Sequence, residues 1–277
     1  MKFKIVTDSA ADIRSICSDI PFESVPLKVI TDEKEYVDNS DCDVVGMIND
    51  LKKYTGKSRS SCPNSQEYIE AFGDAENVFC VTITGGLSGS YNSACLAARD
   101  WSAAHPDRNV HVIDSLSTGA ENAMLINKLE ELILEGNDFE AVKEKITEYH
   151  NHTRLIFALE SMHNLANNGR VSPLVAKFAG LIGIRAIGRA SDVGTLEMTN
   201  KSRGAKNAYA DMVKNMISEG CKGGKVRIHH ANNLASANEL AAKISEQIPG
   251  TEITIEHTGA LCSFYAEEGG LLVGFEI

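Results

Sequence analysis

Asn77-Val78-Phe79-Cys80-Val81-Thr82-Ile83-Thr84 is a largely apolar run that stops at Gly85-Gly86-Leu87-Ser88-Gly89-Ser90, and helix-compatible sequence follows from Tyr91 to about residue 104. Such a run, bounded by glycines, suits a strand buried on both faces, as in parallel sheets covered by helices. The same theme stands on either side of it. Phe3-Lys4-Ile5-Val6-Thr7 stops at Asp8-Ser9 before an Ala-rich stretch. Asn109-Val110-His111-Val112-Ile113 ends at Asp114-Ser115-Leu116-Ser117-Thr118-Gly119, and a long amphipathic pattern follows with Met124, Leu125, Leu129, Leu132 and Ile133 on one face. Strands alternating with helices predict parallel βαβ units. In such sheets ligands bind beyond the carboxyl ends of the strands, and all three strand-end loops here are rich in Ser, Thr, Asp and Gly.

The second half has another rhythm. A helical pattern over 161–167 leads to the turn Asn168-Gly169-Arg170, and a second over 173–181 leads into a strand-like segment over 182–187. Asp192-Val193-Gly194 reads as a hairpin turn before Thr195-Leu196-Glu197-Met198. A helix is expected over 202–218, strands over 225–229 and 252–256, and a glycine-led apolar segment over 269–276. The chain is therefore expected to be α/β, with an N-terminal parallel-sheet domain over residues 1–150 and a mixed α/β domain over 151–277. Residues near 55–75 are expected to pack with the second.

Bulk composition limits the function. The chain has 277 residues, 43% hydrophobic and 23% charged, which is enough for a full core. A net charge of −11 supplies no basic stripe for phosphate neutralisation, so no nucleic-acid partner is expected. No apolar run is long enough to span a bilayer and no signal-peptide pattern opens the chain, so a cytoplasmic location without membrane insertion is expected. The seven cysteines are scattered with no CxxC pair, against a disulfide framework or structural zinc.

Residue chemistry then narrows the candidates. In the loop over 84–92, glycines let backbone approach a ligand, a following helix offers free N–H groups, and Ser88 and Ser90 add hydroxyls. This pattern suits a carboxylate or phosphate, or simply a capped helix. The P-loop lysine is absent, and the order Gly86-Leu87-Ser88-Gly89 is not a nucleophile elbow. Ser58-Arg59-Ser60-Ser61-Cys62-Pro63-Asn64 reads as a polar loop before a helix, with hydroxyls for an anion or a cap. Arg170 follows a tight turn, where a guanidinium suits a phosphate or a partner as well as plain solvent. His229-His230 and His257 are candidate metal ligands by type, but adjacent histidines on a strand face opposite ways, so no metal site is expected.

Taken in order, these strings resemble the DegV family over nearly the whole chain. They are Thr7-Asp8-Ser9-Ala10-Ala11-Asp12, Val25-Pro26-Leu27-Lys28-Val29, Ser60-Ser61-Cys62-Pro63, Gly86-Leu87-Ser88-Gly89-Ser90-Tyr91-Asn92-Ser93-Ala94, Asp114-Ser115, Gly169-Arg170-Val171, Gly180-Leu181-Ile182-Gly183-Ile184-Arg185, Lys201-Ser202-Arg203 and Gly269-Gly270. The resemblance implies two α/β domains with a fatty acid in a tunnel between them. It also implies a non-catalytic subunit that presents the acyl carboxylate to a separate ATP-dependent kinase, with no cofactor of its own. Where the family has a T-S-Q-P threonine, this chain has Ser60; where it has the first serine of S-G-L-S-G-T, Gly85; where it often has a histidine, Tyr265. Glu267-Glu268-Gly269-Gly270 replaces G-P-G or G-S-G, and Arg185-Ala186 replaces I-K-P's last two residues. The expected ligand-binding set is Ser60, Ser61, Thr84, Gly85, Gly86, Ser88 and Tyr265, with Arg170 for partner or phosphate and Phe178, Leu181 and Ile184 along the tunnel. The alternatives are a hydrolase or transferase using Ser88 or Cys62, and a ligand-free interaction protein of the same fold.

Overall fold

The structure, a computed structural model, describes residues 2–172 and 183–277. The first half runs through β1 (Phe3–Asp8), β2 (Phe22–Val25), β3 (Lys28–Ile30), β4 (Glu35–Val37), α1 (Val44–Lys53), β5 (Arg59–Ser61) and α2 (Ser65–Phe72). It continues with β6 (Asn77–Thr82), α3 (Ser90–Ala104), β7 (Asn109–Asp114), α4 (Ala120–Leu134) and α5 (Phe139–Asn151). Strands β2, β1, β6 and β7 pair in that order, all parallel. Every residue of β6 is buried, as its unbroken apolar run requires. Its alternate residues feed two cores: Phe79 and Val81 pack with Leu125 and Leu129 of α4. Val78 and Cys80 pack with Tyr68, Phe72 and Trp101 on the other face. The βα pattern of the sequence is thus realised in one sheet.

A second, smaller sheet had no periodic signal. Strands β4, β3 and β5 pair antiparallel, so the segment expected to be a polar loop around Ser60 is a strand. Three-residue strands are too short for a period-2 pattern to register. Val29, Tyr36, Met47 and Ile48 from this region pack on Ala260 and Phe264 of the second half. Tyr68 of α2, by contrast, belongs to the core beneath the parallel sheet.

The second half comprises β8 (Thr153–Leu159), α6 (His163–Asn167), β9 (Ile184–Ala190), β10 (Leu196–Arg203), α7 (Ala205–Ser218), β11 (Gly224–His230), α8 (Leu234–Gln247), β12 (Thr251–His257), α9 (Ala260–Ala266) and β13 (Leu271–Glu276). Its mixed sheet has the order β10-β9-β8-β13-β11-β12. On one face Met212, Met216, Leu240 and Ile244 from α7 and α8 cover Ile156, Val226, Ile228 and Phe275. On the other, Leu155, Phe157, Leu159 and Leu272 turn toward Ala120 of the first half. The hairpin turn lies at Asp192–Gly194 as read, with Gly194 at φ +74. The helix expected from residue 202 starts at Ala205, because Ser202 and Arg203 pair with Arg185 and Ile184 in the sheet. The helix expected over 173–181 lies outside the described residues.

Contacts between the halves fix the space between them. A Cβ on Gly86 would sit 2.7 Å from the Gly194 carbonyl oxygen, so the loop after β6 meets the β9–β10 turn backbone to backbone. On the far side His229 Nδ1 lies 2.9 Å from Asp12 Oδ2, both side chains fully buried. Burial alone would lower the His229 pKa, but its hydrogen bond to Asp12 and the neighbouring Glu256 carboxylate carry it above its ordinary value, favouring an ion pair. Asp38 accepts from Ala260 N at 2.7 Å and Leu261 N at 3.1 Å, capping α9, and is paired with Arg14 at 2.5 Å. Among the described residues no helix is long and apolar enough to cross a membrane.

Candidate functional site

The loop between β6 and α3 is built by its own hydrogen bonds. Thr84 N donates to Ser117 O at 2.9 Å, and Thr84 Oγ1 accepts from Gly86 N at 3.0 Å. Leu87 N and Ser88 N both donate to Thr84 O at 3.2 Å, Gly85 N donates to Asp114 Oδ1 at 3.1 Å, and Ser90 N donates to Ser88 Oγ at 3.2 Å. These amides are therefore already engaged by protein, unlike the open anion nest that the glycines suggested. Ser90 turns inward, 2.6 Å from both Asp8 Oδ2 and Tyr68 Oη. Asp8 also accepts from Ile83 N at 2.9 Å, and burial pushes its carboxyl up to about 6.

Side chains converge elsewhere, at the junction of the small sheet, α9 and the turn after α6. The β3–β5 register sets Ser60 opposite Val29 and Ser61 opposite Lys28, so successive serines face opposite ways. Ser60 Oγ lies 2.6 Å from Tyr265 Oη on α9. The Arg170 guanidinium stands 5.5 Å from the centre of the Tyr265 ring. It is held there by its Nε donating to Leu87 O at 3.2 Å and its Nη1 donating to Asn168 O at 2.7 Å. Ser88, beside Leu87, keeps its proton for donation while its oxygen accepts from Ser90 N. Burial raises the Tyr265 pKa, outweighing the contributions of Ser60 and Arg170, so the phenol stays a neutral donor.

These four polar side chains border one cavity, and behind them it is apolar. Leu27, Ile83 and Leu87 line it from the first half, and Leu155, Phe157, Leu159, Leu261 and Leu272 from the second. It is a narrow slot, about 60 Å³ to the centres of water-sized spheres. Leu155, Phe157 and Leu159 alternate along one face of β8, so the strand runs beside the slot. Thr118 and Cys262 add two polar points. The cavity thus has a donor-rich mouth and a greasy barrel, the two environments an amphiphile with one anionic end requires.

The structure brings Ser60, Ser88, Arg170 and Tyr265 of the expected set to this slot and leaves the others beside it. Thr84 is fully buried, its Oγ1 accepting from Gly86 N, and does not border the slot. A side chain at Gly85 would start 3.1 Å from Asp114 Oδ2 and 3.3 Å from Tyr91 Cδ1, directed away from the slot. Gly86 faces Gly194, and neither Gly86 nor Ser61 borders the slot. Ile184 opens β9 and is not at the slot wall, while Phe178 and Leu181 lie outside the described residues. The apolar lining from Leu27 to Leu272 escaped sequence reading, because a leucine facing a core and one facing a cavity carry the same pattern. Among the described residues no imidazole is hydrogen-bonded to Ser88 or Cys62, which argues against either as an activated nucleophile. Among the same residues no group of three or more His, Cys, Asp or Glu is placed to hold a metal.

The profile of the family described as "Uncharacterised protein, DegV family" matches residues 2–276. A DegV domain-containing protein of Streptococcus pneumoniae is 42% identical over 280 residues, with 100% of each chain covered. Among solved structures, the fatty acid kinase B3 protein of Streptococcus pneumoniae, loaded with linoleic acid, gives a TM-score of 0.98 at 42% identity over 100% of each chain. A DegV family protein from Eubacterium eligens, loaded with heptadecanoic acid, gives 0.96 at 41% identity over 99% of each chain.

Proposed function

The chain belongs to the DegV family, and we propose that it holds a fatty acid in the slot between its halves and presents the carboxylate to a separate ATP-dependent kinase. One observation carries the reading: an apolar slot whose mouth gathers Ser60, Ser88, Tyr265 and Arg170. The acyl chain gains about 0.8 kcal/mol per methylene removed from water. A carboxylate taken from water without donors forfeits several kcal/mol, so the mouth must supply them. Tyr265 and Ser60 share one hydrogen bond, which leaves one hydroxyl proton of the pair to donate to an arriving carboxylate oxygen; the second is released when the carboxylate replaces that shared bond. Ser88 donates from the opposite loop. Arg170, held against Leu87 and the Tyr265 ring, offers the positive charge that an acyl phosphate or the kinase surface meets next. The chain itself performs no bond making in this scheme; it desolvates the tail, orients the head group and needs no resident cofactor. The two structures named above, with linoleic and heptadecanoic acid bound, support this reading.

The test is reconstitution with a fatty acid kinase, ATP and a long-chain acid. Acyl phosphate is expected only when both proteins are present. Arg170→Ala is expected to keep acid binding within about threefold while product formation falls at least about tenfold, as for removal of a charge-assisted contact to phosphate. Product formed equally well without this chain, or unaltered by R170A, contradicts the corresponding part of the proposal.

A further inference from the structure

Beside the slot lies a second chamber of about 230 Å³, partly open to solvent and lined by Glu121, His150, Thr153 and Ser191 as well as by the apolar Leu116 and Ala190. Leu155 lines both spaces. On β8 the inward face reads Thr153, Leu155, Phe157, Leu159: the last three border the slot and the first two border the chamber. The neighbouring hairpin repeats the division. Leu196 borders the slot and its cross-strand partner Ala190 borders the chamber. At the other end of the β8 face, Leu159 packs with Leu165, whose carbonyl accepts from Arg170 N at 2.8 Å. Head group and chamber thus lie beyond opposite ends of the Leu159–Leu155 stretch, which by itself spans roughly 13 Å at about 3.3 Å per residue.

The two compartments differ sharply in what they do for a methylene. Phe157, Leu159 and Leu272 reward each one, whereas polar groups interrupt the chamber wall between Leu116 and Ala190. Glu121 is fully enclosed, accepts from Thr153 Oγ1 at 2.7 Å, and burial raises its pKa. His150 Nε2 lies 2.8 Å from Ser115 O. A tail pushed past Leu155 displaces water from polar groups and gains less apolar contact per methylene than it does in the slot.

From this juxtaposition, and resting on the acyl-binding reading above, we infer that Leu155 is the stop for the methyl end, and so the residue that sets the longest acyl chain the protein holds well. Affinity rises with each methylene until the tail meets Leu155 and then levels off or falls. The experiment is competitive loading of the delipidated full chain with an equimolar ladder of straight-chain saturated acids differing by two carbons, read by native mass spectrometry. Ratios within one spectrum do not depend on how much protein folded. Leu155→Ala is expected to move the favoured acid at least one step longer, changing its ratio to the next shorter acid by about tenfold, the effect of burying two more methylenes. Leu155→Phe is expected to move it shorter. Leu155→Val, a smaller change in a buried position, is expected to move it in the same direction as L155A and serves if the alanine variant does not fold. A wild-type ladder profile reproduced by the variants overturns the role of Leu155 and leaves acyl binding intact. Wild-type protein that takes up no acid at all overturns the acyl-binding reading and this inference with it.

Discussion

Tyr265 is held by Ser60 at 2.6 Å and by Arg170 over its ring, and it is this local geometry that suits an aromatic residue to the proposed role of head-group donor. Removing only the hydroxyl tests it. Tyr265→Phe is expected to leave the fold in place and weaken long-chain acid binding by about tenfold, the value of one hydrogen bond to a charged group. Calorimetric titration checks it, and Ser60→Ala combined with Y265F should cost less than the sum of the two, because they share a partner. The residue types at the mouth were readable in the sequence: Ser60 and Ser88 from hydroxyl-rich loops, Arg170 from a turn, Tyr265 from the family resemblance. Their meeting was not, since Ser60 and Tyr265 stand 205 positions apart and each is ordinary in its own neighbourhood. Gly85 teaches the converse. Its lack of a side chain counts as a missing donor by alignment, yet a Cβ there approaches Asp114 and Tyr91, away from the slot.

At the scale of elements, the loop after β6 is anchored from below by β1. Asp8 accepts from Ser90 Oγ and Ile83 N, tying the start of α3 and the end of β6 to one carboxyl group. Burial raises that carboxyl from 3.8 to about 6. The folded state therefore holds this proton more tightly than the unfolded chain. The stabilisation is complete below 3.8 and is lost as pH rises through about 6, on the order of 3 kcal/mol in all. Asp8→Asn is neutral throughout, so urea denaturation should show wild type losing stability relative to D8N across that window. A difference between them that does not change with pH contradicts the buried-carboxyl account. The three strand–loop–helix units of the first half were legible because fully buried strands give continuous apolar runs. The small β3–β4–β5 sheet was not, because its strands have three residues each and β5 returns to β3 only after α1.

For the whole molecule, the decisive arrangement is the cleft where the inner face of the mixed sheet meets the strand-end loops of the parallel sheet. Backbone contact between Gly86 and Gly194 closes one side of it, and the buried His229–Asp12 pair closes another. Neither contact had a local signature, and the slot between them comes from the docking of two halves rather than from any one motif. The alternation of β and α segments pointed to the class of fold and the strand-end loops to the region of the site, while the nine strings carried the resemblance. The central claim, that this cleft holds a fatty acid by its tail with the carboxylate at Ser60 and Tyr265, is met most directly by native mass spectrometry of the full chain purified without detergent. The account predicts one long-chain carboxylic acid per chain, released on denaturation and depleted in the S60A/Y265F variant. A protein that carries no acyl chain as purified, and takes up none from added linoleic acid, would contradict it.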